Sequence, residues 1–241
     1  MRKLTNYSLF AICLVLFSQC SVKKYIPEDE LLLTSANVKV ISPKVNHQKQ
    51  AVASLEEAIF PQPNKRVLGM YPGLYYRFKA EQKEKPNFFI RFLNKRIGER
   101  PVYLSSINEE STVEVMYNRL ENSGFFLSEI EAKVEEKKKK AKINYLVKLS
   151  QPYTLQNLQV DVDASIDTLA IWDEIKNSLA ETKLVSGSNF NLESLKNERQ
   201  RIDTYLKSRG YYNFNPNFLL FEVDTNTQQK RSFNAYLRLK V

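Results

Sequence analysis

Cysteine, histidine and glycine are scarce in this chain of 241 residues, which has two, one and six of them. The scarcity excludes chemistry. His47 stands alone, with no metal-ligand spacing around it. The few glycines form neither a phosphate-cradling loop nor a dinucleotide fingerprint, and no serine sits in a nucleophile elbow. The acidic pairs Glu109-Glu110 and Glu135-Glu136 read as solvated helix and hairpin surface. Cys13 and Cys20 both lie near the N-terminus, so no disulfide framework is implied. The expectation is a chain that is not an enzyme and needs no cofactor or metal.

Apolar residues, by contrast, make up 43%, with 14 Phe and 13 Tyr, enough for a real core. The formal charge of +9 is compatible with nucleic acid, anionic lipid or acidic protein, and charge alone does not choose.

The N-terminus chooses a compartment. Arg2 and Lys3 precede an apolar stretch at 9–17, which is too short for a bilayer span of roughly 20 residues. This is a secretory signal pattern. It runs into Phe17-Ser18-Gln19-Cys20, which resembles a bacterial lipobox with Cys20 as the lipidated first residue of the mature chain; Gln19 departs from the usual small residue. The signal carries only Arg2 and Lys3 as charges, so the charge without it is +7. The mature chain would have no free thiol, as suits an oxidising periplasm. Export argues against a nucleic-acid partner. No acidic cluster follows Cys20; the resemblance to bacterial lipoproteins implies that such a chain stays on the periplasmic face of the outer membrane.

Beyond a polar tether at 20–33, periodicity predicts one unit twice. Alternation at 37–41, with Val38 and Val40, predicts a strand. Val52, Leu55 and Ile59 predict a helix that Pro61 stops. Val113, Met116, Tyr117 and Leu120 mark a second helix at 108–123, closed by Gly124. Two strands follow, one with Ile130, Ala132 and Val134 and one with Ile143, Tyr145, Val147 and Leu149. The second half repeats the order. A strand carries Leu158, Val160 and Val162; a short helix capped by Asp167 carries Ile171, Ile175 and Leu179. A longer helix capped by Asn191 carries Leu192, Leu195, Ile202, Tyr205 and Leu206 and ends at Gly210. Strands at 217–224 and 233–241 complete it. Leu120-Glu121-Asn122-Ser123-Gly124-Phe125-Phe126 matches Leu206-Lys207-Ser208-Arg209-Gly210-Tyr211-Tyr212, a buried leucine four residues before a chain-reversing glycine and two aromatics after it. The fold class is α+β: two tandem β-α-α-β-β modules, at 34–151 with an insert at 61–101 and at 152–241, after a lipoprotein signal peptide at 1–19.

This order resembles the POTRA module of the Omp85 superfamily. Gly187-Ser188-Asn189-Phe190-Asn191, then Leu195, Arg199, Ile202, Leu206 and Gly210-Tyr211-Tyr212, is similar to the module's second helix and its exit. Three further stretches resemble the TamA-like lipoproteins of Bacteroidetes, the TamL family. They are Lys24-Tyr25-Ile26-Pro27 running to Leu31-Leu32, Pro63-Asn64-Lys65-Arg66-Val67-Leu68-Gly69, and Gly98-Glu99-Arg100-Pro101-Val102. That family continues into an outer-membrane β-barrel, and no barrel strands follow Val241 here. The resemblance implies a lipid-anchored periplasmic scaffold in outer-membrane protein assembly or translocation. Its implied partners are a TamB-like periplasmic protein and unfolded outer-membrane protein clients. It also implies that the first strand of each hairpin is a partner-binding edge: Glu129, Ile130, Glu131, Ala132, Lys133 and Val134 in one module, Asn217, Phe218, Leu220 and Glu222 in the other. There Phe218 and Leu220 are expected to face the core, and Asn217 and Glu222 to be exposed. The alternative is a stand-alone periplasmic lipoprotein that binds an envelope ligand.

Two features have competing readings. The insert predicts a helix at 86–97 with Phe88, Phe89, Phe92, Leu93, Arg91, Lys95 and Arg96; completing a core is favoured over resting on a membrane or docking a partner. The lysine run at 137–140 is favoured as a solvated hairpin turn over an anion-attracting patch.

Overall fold

The computed structural model describes residues 22–161, 170–227 and 229–240. The signal segment, Cys20, Val162, Asp167 and Val241 lie outside them. The described elements are β1 (Leu32–Val40), α1 (Gln48–Ala58), α2 (Pro72–Glu81), α3 (Phe88–Ile97), α4 (Glu109–Asn122), β2 (Glu129–Lys137), β3 (Lys140–Lys148), β4 (Thr154–Val160), α5 (Ala170–Ser178), α6 (Leu192–Ser208), β5 (Leu219–Asp224) and β6 (Ser232–Leu239). The fold is α+β. Its two three-stranded sheets are ordered β1-β3-β2 and β4-β6-β5. The chain forms two compact units, one from 22–39, 56–114 and 131–146, the other from 40–55, 115–130 and 147–240.

Both sheets are mixed. Leu32 N–H donates to Lys139 O (3.1 Å) and Ile41 N–H to Val147 O (2.9 Å). Acceptors that advance with the donors make β1 parallel to β3. β2 and β3 are joined by the two-residue turn Lys138-Lys139, with Lys138 at φ 58. A positive first torsion matches the twist that a tight hairpin needs. In the other sheet β4 runs parallel to β6 and β5 antiparallel to it.

In the first unit, residues 22–33 are not the tether read from the sequence. Val22, Ile26 and Leu32 are buried with Tyr71, Leu74 and Tyr75, and Tyr25 stacks on Phe78 with ring centroids 5.3 Å apart. Five charged residues interrupt the apolar ones in this stretch, and the apolar ones find their partners on α2 and at Tyr103. The sequence reading also leaves α2 unassigned, because tyrosines and lysines blur its apolar stripe.

In the second unit, β6 is central and carries Phe233, Ala235 and Leu237 into the core, as its alternation predicts. Trp172, Ile175, Ile202, Leu206, Phe214 and Leu219 pack with Leu237. On α5 it is Trp172 that is fully buried, while Ile171 is half-buried. β4 starts earlier than predicted, at Thr154, and its register shifts between Leu155 and Asn157. The extra residue turns Leu155 and Leu158, three apart, onto the same cluster. Asn191 caps α6 as expected: its Oδ1 accepts from Ser194 N–H at 3.0 Å.

The matched leucine-glycine-aromatic segments have matching geometry. Phe125 N–H donates to Leu120 O (2.9 Å) and Gly124 N–H to Glu121 O (2.9 Å); Tyr211 N–H donates to Leu206 O (3.1 Å) and Gly210 N–H to Lys207 O (3.2 Å). Gly124 has φ +85 and Gly210 φ +98. This is the two-bond helix exit that needs a left-handed residue.

Candidate functional site: the open sheet edges

A three-stranded sheet has two outer strands. In both sheets the parallel outer strand is covered by a segment of its own unit. Leu33 N–H donates to Val102 O (2.9 Å) and Leu104 N–H to Leu31 O (2.8 Å), covering the start of β1 on the side away from β3. Leu155 N–H donates to Ser188 O, and Gly187 N–H to Leu155 O, both at 2.8 Å, covering the start of β4 in the same way. The hairpin strands β2 and β5 form the other edges.

The outward groups of these strands follow from ladder alternation. Lys240 N–H donates to Phe218 O (2.7 Å), which makes 218 and 240 a hydrogen-bonded pair. Alternation then points the N–H groups of Leu220, Glu222 and Asp224 at β6 and those of Phe221 and Val223 outward. On β2, the two-residue turn makes Lys137 and Lys140 a hydrogen-bonded pair, so Ile130, Ala132, Val134 and Glu136 present their N–H groups outward. The outward N–H of Ile130 donates to the Tyr117 hydroxyl at 2.8 Å, so the helix α4 plugs that end of the edge. The exposed side chains of Glu129, Glu131, Lys133 and Val134 border the open stretch, and Ala132 is half-buried.

The residues predicted on β5 need correction. Asn217 and Phe218 belong to a short 3-10 turn, Pro216–Phe218, and not to the strand. Asn217 N–H is taken by Asn215 Oδ1 at 2.8 Å, and Arg199 holds its side chain. Phe218 and Leu220, expected in the core, are 45% and 40% exposed, while Leu219 is buried and Phe221 and Val223 pack on the core; Asn217 and Glu222 are exposed, as expected. The strand starts at Leu219, and from there alternate residues, 219, 221 and 223, turn to the core. Glu222 is exposed and its carboxylate pairs with Arg238 at 2.6 Å, but its N–H faces β6.

Two of the stretches singled out in the sequence meet. Asn64, which is buried, donates from Nδ2 to Arg100 O (2.7 Å) and Glu99 Oε2 (3.2 Å), and its Oδ1 accepts from Val102 N–H (2.8 Å). Lys65 N–H donates to Glu99 Oε2 at 3.0 Å. This network holds the segment that covers the start of β1, so the role of these residues is visible as a brace of that segment.

The lysine run is the hairpin turn expected, with Lys138-Lys139 at its tip. Lys137, Lys138, Lys140 and Lys142 line one cavity with Lys23, Thr34 and Glu135. Burial, and then the charges of Lys23, Arg66 and Lys142, hold the Lys140 ammonium below the usual lysine range. The aromatics of α3 do not complete a core: Phe88, Phe89 and Phe92 are exposed, and only Ile90 is buried on that helix. Among the described residues no helix is long and apolar enough to cross a membrane, and no group of His, Cys, Asp and Glu has metal-binding geometry.

No family model matches the chain, and no curated protein is similar to it in sequence. Among solved structures it is similar to the POTRA3-5 segment of BamA from Haemophilus influenzae, at 14% identity, 89% of this chain, 68% of that one and a TM-score of 0.44. It is also similar to POTRA1-2 of the periplasmic domain of Omp85 from Anabaena, at 14% identity, 89% and 99% coverage and a TM-score of 0.38. CdiB from Acinetobacter baumannii is similar over 98% of this chain and 37% of its own, at 14% identity and a TM-score of 0.26.

Proposed function

We propose that this chain is a tandem POTRA segment of an Omp85-superfamily protein of the TamA-like lipoprotein kind. It serves as a periplasmic scaffold for outer-membrane protein assembly or translocation and is anchored through Cys20 to the outer membrane. Its edges take extended clients, unfolded outer-membrane proteins, or a TamB-like partner, by strand addition; the barrel of such a protein lies outside these residues. One observation carries the reading: each sheet has its parallel outer strand covered at the first residues by another segment, and its hairpin strand presents a row of outward backbone groups. Backbone recognition accepts many sequences, as a scaffold with varied clients requires. Charged side chains along β2 keep such an edge from pairing indiscriminately. No catalytic step is part of this reading.

The test replaces outward N–H groups. Val134→Pro on β2 and Val223→Pro on β5 each delete one outward donor and obstruct an incoming strand without touching the ladder behind. Val134 is the gentler site, because its side chain is exposed. Losing one such bond costs about 0.5–1.5 kcal/mol, so capture of a urea-unfolded β-barrel polypeptide by photocrosslinking should fall about two- to tenfold. Val134→Ala and Val223→Ala should capture as wild type does. Unchanged capture by a Val134→Pro protein of unchanged melting temperature refutes strand addition at β2. The second reading, a stand-alone envelope-ligand binder, is favoured by the lysine-lined cavity, and it predicts that outcome.

A further inference from the structure

The helix α3 shows a water-facing surface that water does not favour. Phe88 is 85% exposed, Phe89 62%, Phe92 47% and Ile97 42%. Phe88 and Phe92, one helical turn apart, stack with centroids 6.5 Å apart, so they form one apolar stripe. Helical spacing sets Arg91 and Lys95 along one border of that stripe and Phe89 and Arg96 along the other. The Arg96 guanidinium lies 5.7 Å from the Phe92 ring centroid. No acid occurs between Lys85 and Ile97. The stripe is also held in place. Asn87 Oδ1 accepts from Ile90 N–H (2.9 Å) to cap the helix, and α3 packs on α2. A Cβ on Gly73 of α2 would stand 2.6 Å from Ile97 O, so only glycine permits that approach. The helix is therefore displayed with its buried side, centred on Ile90, turned to the protein.

We propose that α3 is an interfacial helix that rests on an anionic bilayer, inserting Phe88, Phe89 and Phe92 among the acyl-chain ends while Arg91, Lys95 and Arg96 meet the phosphates. The charge pattern selects this occupant. An apolar strip flanked on both borders by cations and free of acids matches a headgroup layer over hydrocarbon. A hydrophobic protein groove would complement the strip but leave the cations unmatched. Contact of this kind would hold the first unit against a membrane independently of strand addition and of any lipid on Cys20.

A local probe tests it in the full chain, whatever else attaches the protein to a vesicle. The native Trp172 is 1% exposed and is the chain's single tryptophan. Phe89→Trp adds an indole to the stripe, and brominated lipid quenches an indole only at bilayer depth. On phosphatidylglycerol-containing vesicles the Phe89→Trp protein should lose at least about half of its added emission, while the wild type keeps its own. The loss should shrink severalfold on pure phosphatidylcholine vesicles, at high salt, or when Arg91, Lys95 and Arg96 are all changed to Gln. Phe88→Ser with Phe92→Ser should abolish it at unchanged melting temperature, since both rings are exposed. Equal emission of the added indole with and without brominated lipid overturns the proposal, as does quenching that ignores lipid charge and salt. Capture of an acidic protein by α3 without quenching on vesicles overturns it in favour of a protein partner.

Discussion

Gly124 and Gly210 end equivalent helices in the same compact unit, yet they should respond differently to one methyl group. At Gly210, φ is +98 and an added Cβ meets nothing within 4 Å. Gly210→Ala therefore carries only the left-handed strain of an L-residue, about 1–2 kcal/mol, partly offset by the stiffer unfolded chain at about 0.4–1 kcal/mol. A net loss of about 1 kcal/mol follows. At Gly124, φ is +85, but a Cβ would lie 2.9 Å from the Phe190 Cβ and 3.2 Å from the Phe190 carbonyl oxygen. Phe190 has little room to retreat: its ring is wedged between Phe126 at 4.9 Å and Phe233 at 5.3 Å, and its N–H is bonded to Tyr153 O at 2.7 Å. Overpacking of this kind adds about 1–3 kcal/mol, so Gly124→Ala should cost about 2–4 kcal/mol. Urea unfolding followed by the fluorescence of Trp172, which belongs to the same unit, measures both. The comparison requires unchanged m-values. Equal losses for the two variants, or a larger one at Gly210, would refute the packing argument.

Asn64→Ala should lower stability by about 2–4 kcal/mol, since it strands the Val102 N–H and the Arg100 carbonyl at about 1–3 kcal/mol each; thermal melting measures it, and Val102 amide exchange should accelerate. Lys140 has a folded pKa lowered chiefly by burial, so its charge destabilises the folded state fully below that value and ceases to do so above the unfolded value of about 10.4. Melting curves of Lys140→Met and wild type should accordingly differ most at neutral pH, with the variant the more stable, and converge as pH rises through that window.

Features that depend on short range are legible in the residues alone. Asn191 before an apolar run specifies a cap, because its side chain reaches an amide three residues on. The leucine-glycine-aromatic exits are legible because only glycine takes the reversing torsion without strain. The alternation of Phe233, Ala235 and Leu237 identifies a strand, because the pleat sends alternate side chains to one face. The tertiary structure alone decided where those faces point and what covers them. Residues 22–33 are packed because α2 supplies partners that their own composition does not announce. The aromatics of α3 are exposed because one face of that helix is already used by Ile90, and periodicity cannot say which of two apolar flanks meets the protein. The covered starts of β1 and β4 depend on hydrogen bonds from segments tens of residues away, so no local pattern reveals them. The outward amides of β5 follow from its pairing with β6, which turns the Glu222 N–H inward and leaves that of Val223 for an incoming strand.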